Sequence, residues 1–313
     1  TSTNTFVASA NCGLHCGANI KLIDIDYENY NIDINLLEKK LIIAKKKKKL
    51  PKVIIPVHFA GLPCDMKKIN DLSKKYGFKI VEDASHALGA KYLKNKIGSC
   101  KYSDITVFSF HPVKIITTGE GGIATTNNKE ISQKMQDLRS HGITKDKTRF
   151  LDKPQGQWSY EQQDLGFNYR LTDIHAALGL SQLKRLDEFI KKRNTIREFY
   201  IKQIKSLPIK SLLVPQNIVS SCHLFVIKLD NKEKEFHSQI FTKLREANIG
   251  VQLHYSAVHL QPYFKRFGFK KGDFPNAELY SRNAISLPIY TKLSIDKQKR
   301  VVNTLRNLLL STK

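Results

Sequence analysis

Lys52-Val53-Ile54-Ile55-Pro56-Val57, then a polar segment from Asp65 to Tyr76, then Lys79-Ile80-Val81-Glu82: the fold is decided by these residues. The two apolar, β-branched runs are short and bounded by turn residues, which is the pattern of buried strands. Asp65 offers a side-chain oxygen to the first amides of a helix between them, and Gly77 is its natural stop. Working outward, residues 20–25 read as another strand and residues 34–44 as a helix, with Leu36, Leu37, Leu41 and Ile43 among polar positions. Residues 105–110 and 122–126 are two more strands. Strands that alternate with helices in this way give an α/β fold, with a mainly parallel sheet flanked by helices. Ligands of such sheets sit beyond the carboxyl ends of the strands. Chemistry is therefore expected just after Val57, Glu82 and Phe110.

Further along, Asn127 or Asn128 is placed to cap a helix running toward residue 140. Residues 141–169 form a long polar excursion carrying Trp158, Tyr160, Phe167 and Tyr169. Excursions of this length are often functional or lie at interfaces. Residues 171–205 read as one long helix, with Thr172 or Asp173 near its start. The remainder changes character, with strands at 222–229 and 250–254 and helices at 232–248, 278–283 and 294–310. This predicts a large domain over 1–185 and a smaller α+β domain over 186–313 that includes a bridging helix. No internal repeat is evident.

Composition narrows the function. The chain has 313 residues, 41% hydrophobic, enough for a real core. No apolar run approaches the roughly 18 residues a membrane span needs, and no secretory signal opens the chain. Cys12, Cys16, Cys64, Cys100 and Cys222 are odd in number and scattered, which fits a reducing cytoplasm better than a disulfide framework. Cys12-Gly-Leu-His-Cys16 has no second ligand cluster at zinc-site spacing, so no metal is expected. Lys+Arg total 52 against Asp+Glu 28, a formal net charge of +24. Part of the excess is the block Lys45-Lys46-Lys47-Lys48-Lys49, a solvated run rather than a reading head. No specific nucleic-acid signature accompanies it, whereas an anionic small substrate benefits from a positive field.

Two segments carry chemistry. Val81-Glu82-Asp83-Ala84-Ser85-His86-Ala87-Leu88-Gly89-Ala90 puts two acids at the end of a buried strand, where a carboxylate needs a partner or a task. Capping the following turn is one such task. Phe108-Ser109-Phe110-His111-Pro112-Val113-Lys114-Ile115-Ile116 sets a lysine in an apolar turn after a strand. Burial disfavours an ammonium, so such an amine can act as a nucleophile toward carbonyls. A surface lysine is the plainer alternative in so basic a chain. His58, after the 53–57 strand, reads as a packing histidine or a lining residue.

Together with Thr3-Asn4-Thr5-Phe6-Val7-Ala8-Ser9-Ala10-Asn11, Thr118-Gly119-Glu120-Gly121-Gly122 and Gly166-Phe167-Asn168-Tyr169-Arg170-Leu171-Thr172-Asp173, these segments resemble fold-type I enzymes dependent on pyridoxal 5'-phosphate (PLP). More narrowly, the chain is similar to DegT/StrS-type sugar-nucleotide aminotransferases. The resemblance runs from the first residues to near the end, with the motifs in family order. Ser-Phe-His-Pro-Val-Lys and Thr-Thr-Gly-Glu-Gly-Gly are most like the branch acting at C4 of UDP-sugars in pseudaminic acid biosynthesis.

The resemblance implies a role for each matched residue. Lys114 joins the cofactor aldehyde and later shuttles a proton. Asp83 keeps the pyridine nitrogen protonated, which makes the ring a better electron sink. Ser109 holds the phosphate, Phe6 stacks on the ring, and His86 lies beside the ring hydroxyl. Asn168 reaches the phosphate of a neighbouring subunit's cofactor, which implies a homodimer with a shared site. Arg170 places an anionic group or forms a structural ion pair. Gln252-Leu253-His254-Tyr255 resembles the segment near the sugar nucleotide, so His254 and Tyr255 are substrate-contact candidates, with interdomain packing as the alternative. The implied reaction moves an amino group from glutamate to a UDP-linked keto-sugar. Relatives that act at C3 or on other nucleotide sugars share the pattern, as would a non-catalytic binding protein on the same scaffold. Relatives that dehydrate carry histidine where Lys114 stands. The family also has a stretch ahead of the position of Thr1, including a small-residue turn that opens a helix and cradles the phosphate. The sequence is therefore expected to be truncated at its N-terminal side.

Overall fold

A computed structural model describes residues 1–230 and 235–311. The central sheet has four strands in the order Val53–Ile54, Lys79–Asp83, Ile105–Ser109 and Gly122–Thr125. The first two pairings are parallel, with Ile54 opposite Ile80 and Val81 opposite Ile105. The last is antiparallel, with Phe108 opposite Ile123, so the sheet is mixed. The helix Met66–Tyr76 forms as its ends dictate: the Asp65 side chain accepts from the Lys68 amide, and Gly77 closes it at φ 77°. Its buried Met66, Ile69, Leu72 and Tyr76 pack with Leu37, Leu41, Ile54 and Ile80. Each such side chain contributes about 2 kcal/mol on burial.

The second half builds a three-stranded antiparallel sheet in the order Ala284–Leu287, Phe225–Leu229, Ile209–Ser211. Every residue of Phe225–Leu229 is buried, Lys228 among four apolar side chains. Side chains of Leu186–Ile204, Phe236–Glu246 and Ile295–Ser311 pack with it, among them Ile196, Tyr200, Ile240, Leu244 and Leu305. A second cluster joins the two halves of the chain, uniting Ala10, Tyr30 and Phe59 with Val226, Phe264 and Tyr280. Lys228 is buried at this junction, its Nζ 3.7 Å from the Tyr27 ring centroid and donating to the Tyr27 carbonyl at 2.6 Å.

Several elements differ from their sequence reading. Residues 20–25 form no ladder; Ile23 and Ile25 make single bridges, to Ser2 and Ile32. The strand expected over 52–57 pairs only at Val53–Ile54 and resumes as one bridge, Val57 with Asp83. Pro56 lies between the two, and a proline has no amide to give a ladder. The long helix is two, Asp173–Leu183 and Leu186–Ile204. At the break the Arg185 amide turns back three residues to the Gln182 carbonyl. That tight turn needs neither proline nor glycine, so residue type does not signal it. The strand expected over 250–254 is a single bridge from Gln252 to Ser286. The helix expected over 232–248 is Phe236–Glu246, and the expected first turn at 232–234 lies outside the described residues.

Some apolar side chains face outward. The helix Asp173–Leu183 has no fully buried residue, and Leu165 and Ile174 are 88% and 82% exposed. Among the described residues no helix is long and apolar enough to cross a membrane.

Candidate functional site

Alternation along Lys79–Asp83 sends Glu82 and Asp83 to opposite faces. Glu82 is buried, and its carboxylate accepts from Thr106 Oγ1 at 2.9 Å, from Ser103 Oγ and from His58 Nε2 at 2.7 Å. The Cys64 amide donates to His58 Nδ1 at 3.1 Å, so the His58 proton sits on Nε2. His58 is thus a packing histidine that locks the end of one strand to the next. Burial raises the Glu82 carboxyl, but the His58, Ser103 and Thr106 donors outweigh it and hold the group below its ordinary range. Directly alongside, the His58 amide donates to the Asp83 carbonyl at 3.0 Å.

Asp83 faces the other way. Its Oδ2 accepts from Ser9 Oγ at 2.5 Å and its Oδ1 from the Ser85 amide at 3.0 Å. Lys114 follows the strand Ile105–Ser109 in a turn closed by its own amide to the His111 carbonyl, 2.9 Å, and by the Thr118 amide to Phe110, 3.0 Å. Ile115 and Ile116 anchor that turn against Phe189 and Ile190. Burial pulls the Lys114 ammonium below its ordinary value while the negative charge of Asp83 works against the fall. The two groups therefore act on each other across one site.

Three imidazoles and a phenol complete the cluster. His86 Nε2 and the Tyr255 hydroxyl are 3.1 Å apart, and His86 Nδ1 is buried without a partner. The His223 ring lies 4.4 Å from that of His86. Burial first, then the positive charge of Lys114, holds His86 well below the usual histidine range; His223 is held there by burial and then by His86 and Lys114. His254, bonded through Nδ1 to Ser286 Oγ at 2.9 Å, is lowered to about 4 by burial and Lys114. Tyr255 is raised by burial and by Asp83. Phe6 lies at the exposed rim with its ring 6.0 Å from that of Tyr255. A cavity of about 720 Å³ opens beside this cluster, lined by Lys114, Gln182, His223, His254, Ser286 and Tyr290 among others. That volume suits a cofactor-and-substrate site.

Asp83, His86, Lys114, His254, Tyr255 and Phe6 thus converge. Ser109 ends its strand half-buried, with its Oγ accepting from the His111 amide at 3.4 Å. Asn168 and Arg170 lie exposed in the 141–169 excursion and just after it, Asn168 bridging to Ser140. Within the chain no described contact joins them to Lys114. Sequence reasoning passed over Ser9, although it lies inside the quoted Thr3-to-Asn11 stretch. It also passed over His223 and Arg193, which carry no local pattern.

Residues 1–306 match the DegT/DnrJ/EryC1/StrS aminotransferase family. The chain is 37% identical to a UDP-4-amino-4,6-dideoxy-N-acetyl-beta-L-altrosamine transaminase of Campylobacter jejuni, covering 100% of this chain and 79% of that one. Among solved structures it resembles Helicobacter pylori PseC, an aminotransferase involved in the biosynthesis of pseudoaminic acid, with TM-score 0.87, 31% identity and coverage of 99% and 79%. It also resembles the putative sugar aminotransferase Spr1654 of Streptococcus pneumoniae in its PMP form, with TM-score 0.88, 29% identity and coverage of 100% and 81%. That neighbour is known in a PLP form as well. The chain therefore belongs to the DegT/DnrJ/EryC1/StrS family, whose members are PLP-dependent sugar aminotransferases.

Proposed function

We propose that the protein transfers an amino group from glutamate to the C4 ketone of a UDP-linked 4-keto-6-deoxy-N-acetylhexosamine, in a pathway of the pseudaminic acid type. The carrying observation is a half-buried lysine amine, Lys114, close enough to the Asp83 carboxylate to feel its charge. Three features of this chain fit PLP. Lys114 is held below its ordinary pKa, so more of it is unprotonated and able to condense with an aldehyde. Asp83 is a carboxylate suited to a protonated ring nitrogen, with Ser9 as its present donor. His86 Nδ1 is a buried polar atom with no partner.

When bound, PLP supplies an electron sink for negative charge on the carbon that loses its proton. The chain supplies the rest. Lys114 Nζ takes the proton from the donor's α-carbon and returns it on the far side of the transfer. With the cofactor bound, Asp83 would hold the ring nitrogen's proton, Ser109 and the partner subunit's Asn168 would bind the phosphate, Phe6 would stack on the ring, and His86 would lie beside its hydroxyl. His254 and Tyr255 contact the sugar nucleotide, and Arg170 faces an anionic group. A homodimer is supported by the outward apolar side chains of 165–183. Residues 1–185 act as the cofactor-binding part and 186–313 as the smaller one. The reading places the enzyme in the cytoplasm, where nucleotide sugars are made. The experiment is a panel of UDP-, dTDP- and GDP-linked 4-keto- and 3-keto-sugars offered with glutamate, scored by mass spectrometry. A 4-amino product from the UDP-4-keto sugar is expected; amination only at C3, or only of another nucleotide's sugar, would overturn the assignment.

A further inference from the structure

Thr5, Ser9 and Asp83 are joined by a line of oxygen atoms, and its direction is fixed. The Ser9 hydroxyl has a single proton and two acceptors in reach, Asp83 Oδ2 at 2.5 Å and the Phe6 carbonyl at 3.3 Å. The nearer, charged oxygen takes it. Ser9 Oγ therefore accepts from Thr5 Oγ1, 2.6 Å away, and the order runs from Thr5 to Ser9 to Asp83. Thr5 and Ser9 are buried, so water does not compete for these bonds. Hydroxyls bonded in series polarise one another and strengthen the last donor. The start of the line is held from two sides. The Thr3 amide donates to the Ile23 carbonyl at 3.0 Å, while the Thr3 carbonyl accepts from the Val258 amide at 2.9 Å and Asn4 Oδ1 from the Tyr255 amide at 3.2 Å. At the other end the Ser85 amide holds Asp83 Oδ1, so each carboxylate oxygen has a fixed donor. Lys114 feels the Asp83 charge, which gives a carboxylate free to rotate a cation to turn toward.

We propose that Ser9, backed by Thr5, is a positioning residue that fixes the Asp83 carboxylate for the ring nitrogen of the cofactor. The inference rests on the reading of Asp83 given above, and both hydroxyls act through that carboxylate. The test compares affinities for PLP and for its 1-deaza analogue, in which C–H replaces the ring nitrogen, by absorbance titration of the cofactor-free full chain. Ser9→Ala is expected to weaken PLP about tenfold, the weight of one charge-assisted hydrogen bond. It is expected to leave the analogue's affinity unchanged, because the analogue has no ring nitrogen for Asp83 to meet. Thr5→Val removes the outer donor and is expected to weaken PLP about threefold; Thr5→Ser keeps the hydroxyl and restores the affinity. A purely structural role would weaken both ligands alike. The proposal is overturned if Ser9→Ala binds PLP as the unaltered protein does, or if it loses both ligands by the same factor. It is also overturned if Thr5→Ser binds PLP no better than Thr5→Val. An unaltered protein that binds the analogue as tightly as PLP would overturn the assignment of Asp83 itself, and the proposal with it, so the two failures are told apart.

Discussion

Replacing His58 by alanine is expected to destabilise the fold severely. His58 is fully buried and donates to a carboxylate, Glu82, that is 3% exposed. Removing one partner of a buried hydrogen-bonded carboxylate costs about 3–5 kcal/mol. The orphaned Cys64 amide adds to this, at roughly 1–3 kcal/mol for a buried donor. Ser103 and Thr106 remain on Glu82 and soften the loss, so a net of about 4 kcal/mol is expected. With a urea m-value of roughly 3 kcal/mol/M, the midpoint falls by about 1.3 M. Acid provides a second reading. Glu82 is depressed in the folded state, so its stabilisation is present above its unfolded pKa and is lost as pH falls through the lower folded value. Without His58 the folded pKa rises, and the acid limb moves to higher pH. A midpoint shift below about 0.3 M, with an unmoved acid limb, would refute the reasoning.

Asp83→Asn removes the charge that raises Lys114, so the lysine's pKa should fall further. The pH–rate profile for acylation of Lys114 in cofactor-free protein reads this, and an unchanged midpoint would contradict it. Gly61 sits at φ +91°, and a Cβ there would stand 2.2 Å from Ser221 Oγ and 2.9 Å from the His86 carbonyl. Gly61→Ala should therefore cost about 2 kcal/mol or more through strain and disturb His86; an unshifted melting curve would show the contact is not tight.

The order of elements was legible because its signals are local: Asp65 and Gly77 do bound their helix, Asp83 is the last residue of its strand, and Lys114 follows one. Their roles came from the family resemblance, not from spacing. What was not legible depends on partners distant in sequence. The antiparallel fourth strand is set by what Gly122–Thr125 meets, not by its own residues. The turn at Arg185 has no breaker residue to announce it. Ser9 gains meaning only when it reaches Asp83. Arg185, His223 and Lys292 line one cavity although no motif links them.

The central claim is one covalent partnership, between the amine of Lys114 and the aldehyde of PLP, with Asp83 facing the ring. Borohydride reduction of the cofactor-loaded protein, followed by peptide mass mapping, tests it most directly. The pyridoxyl group is expected on the peptide holding Lys114 and nowhere else, and absent from the Lys114→Ala protein. A label on any other lysine, or one that persists in that variant, would contradict the account.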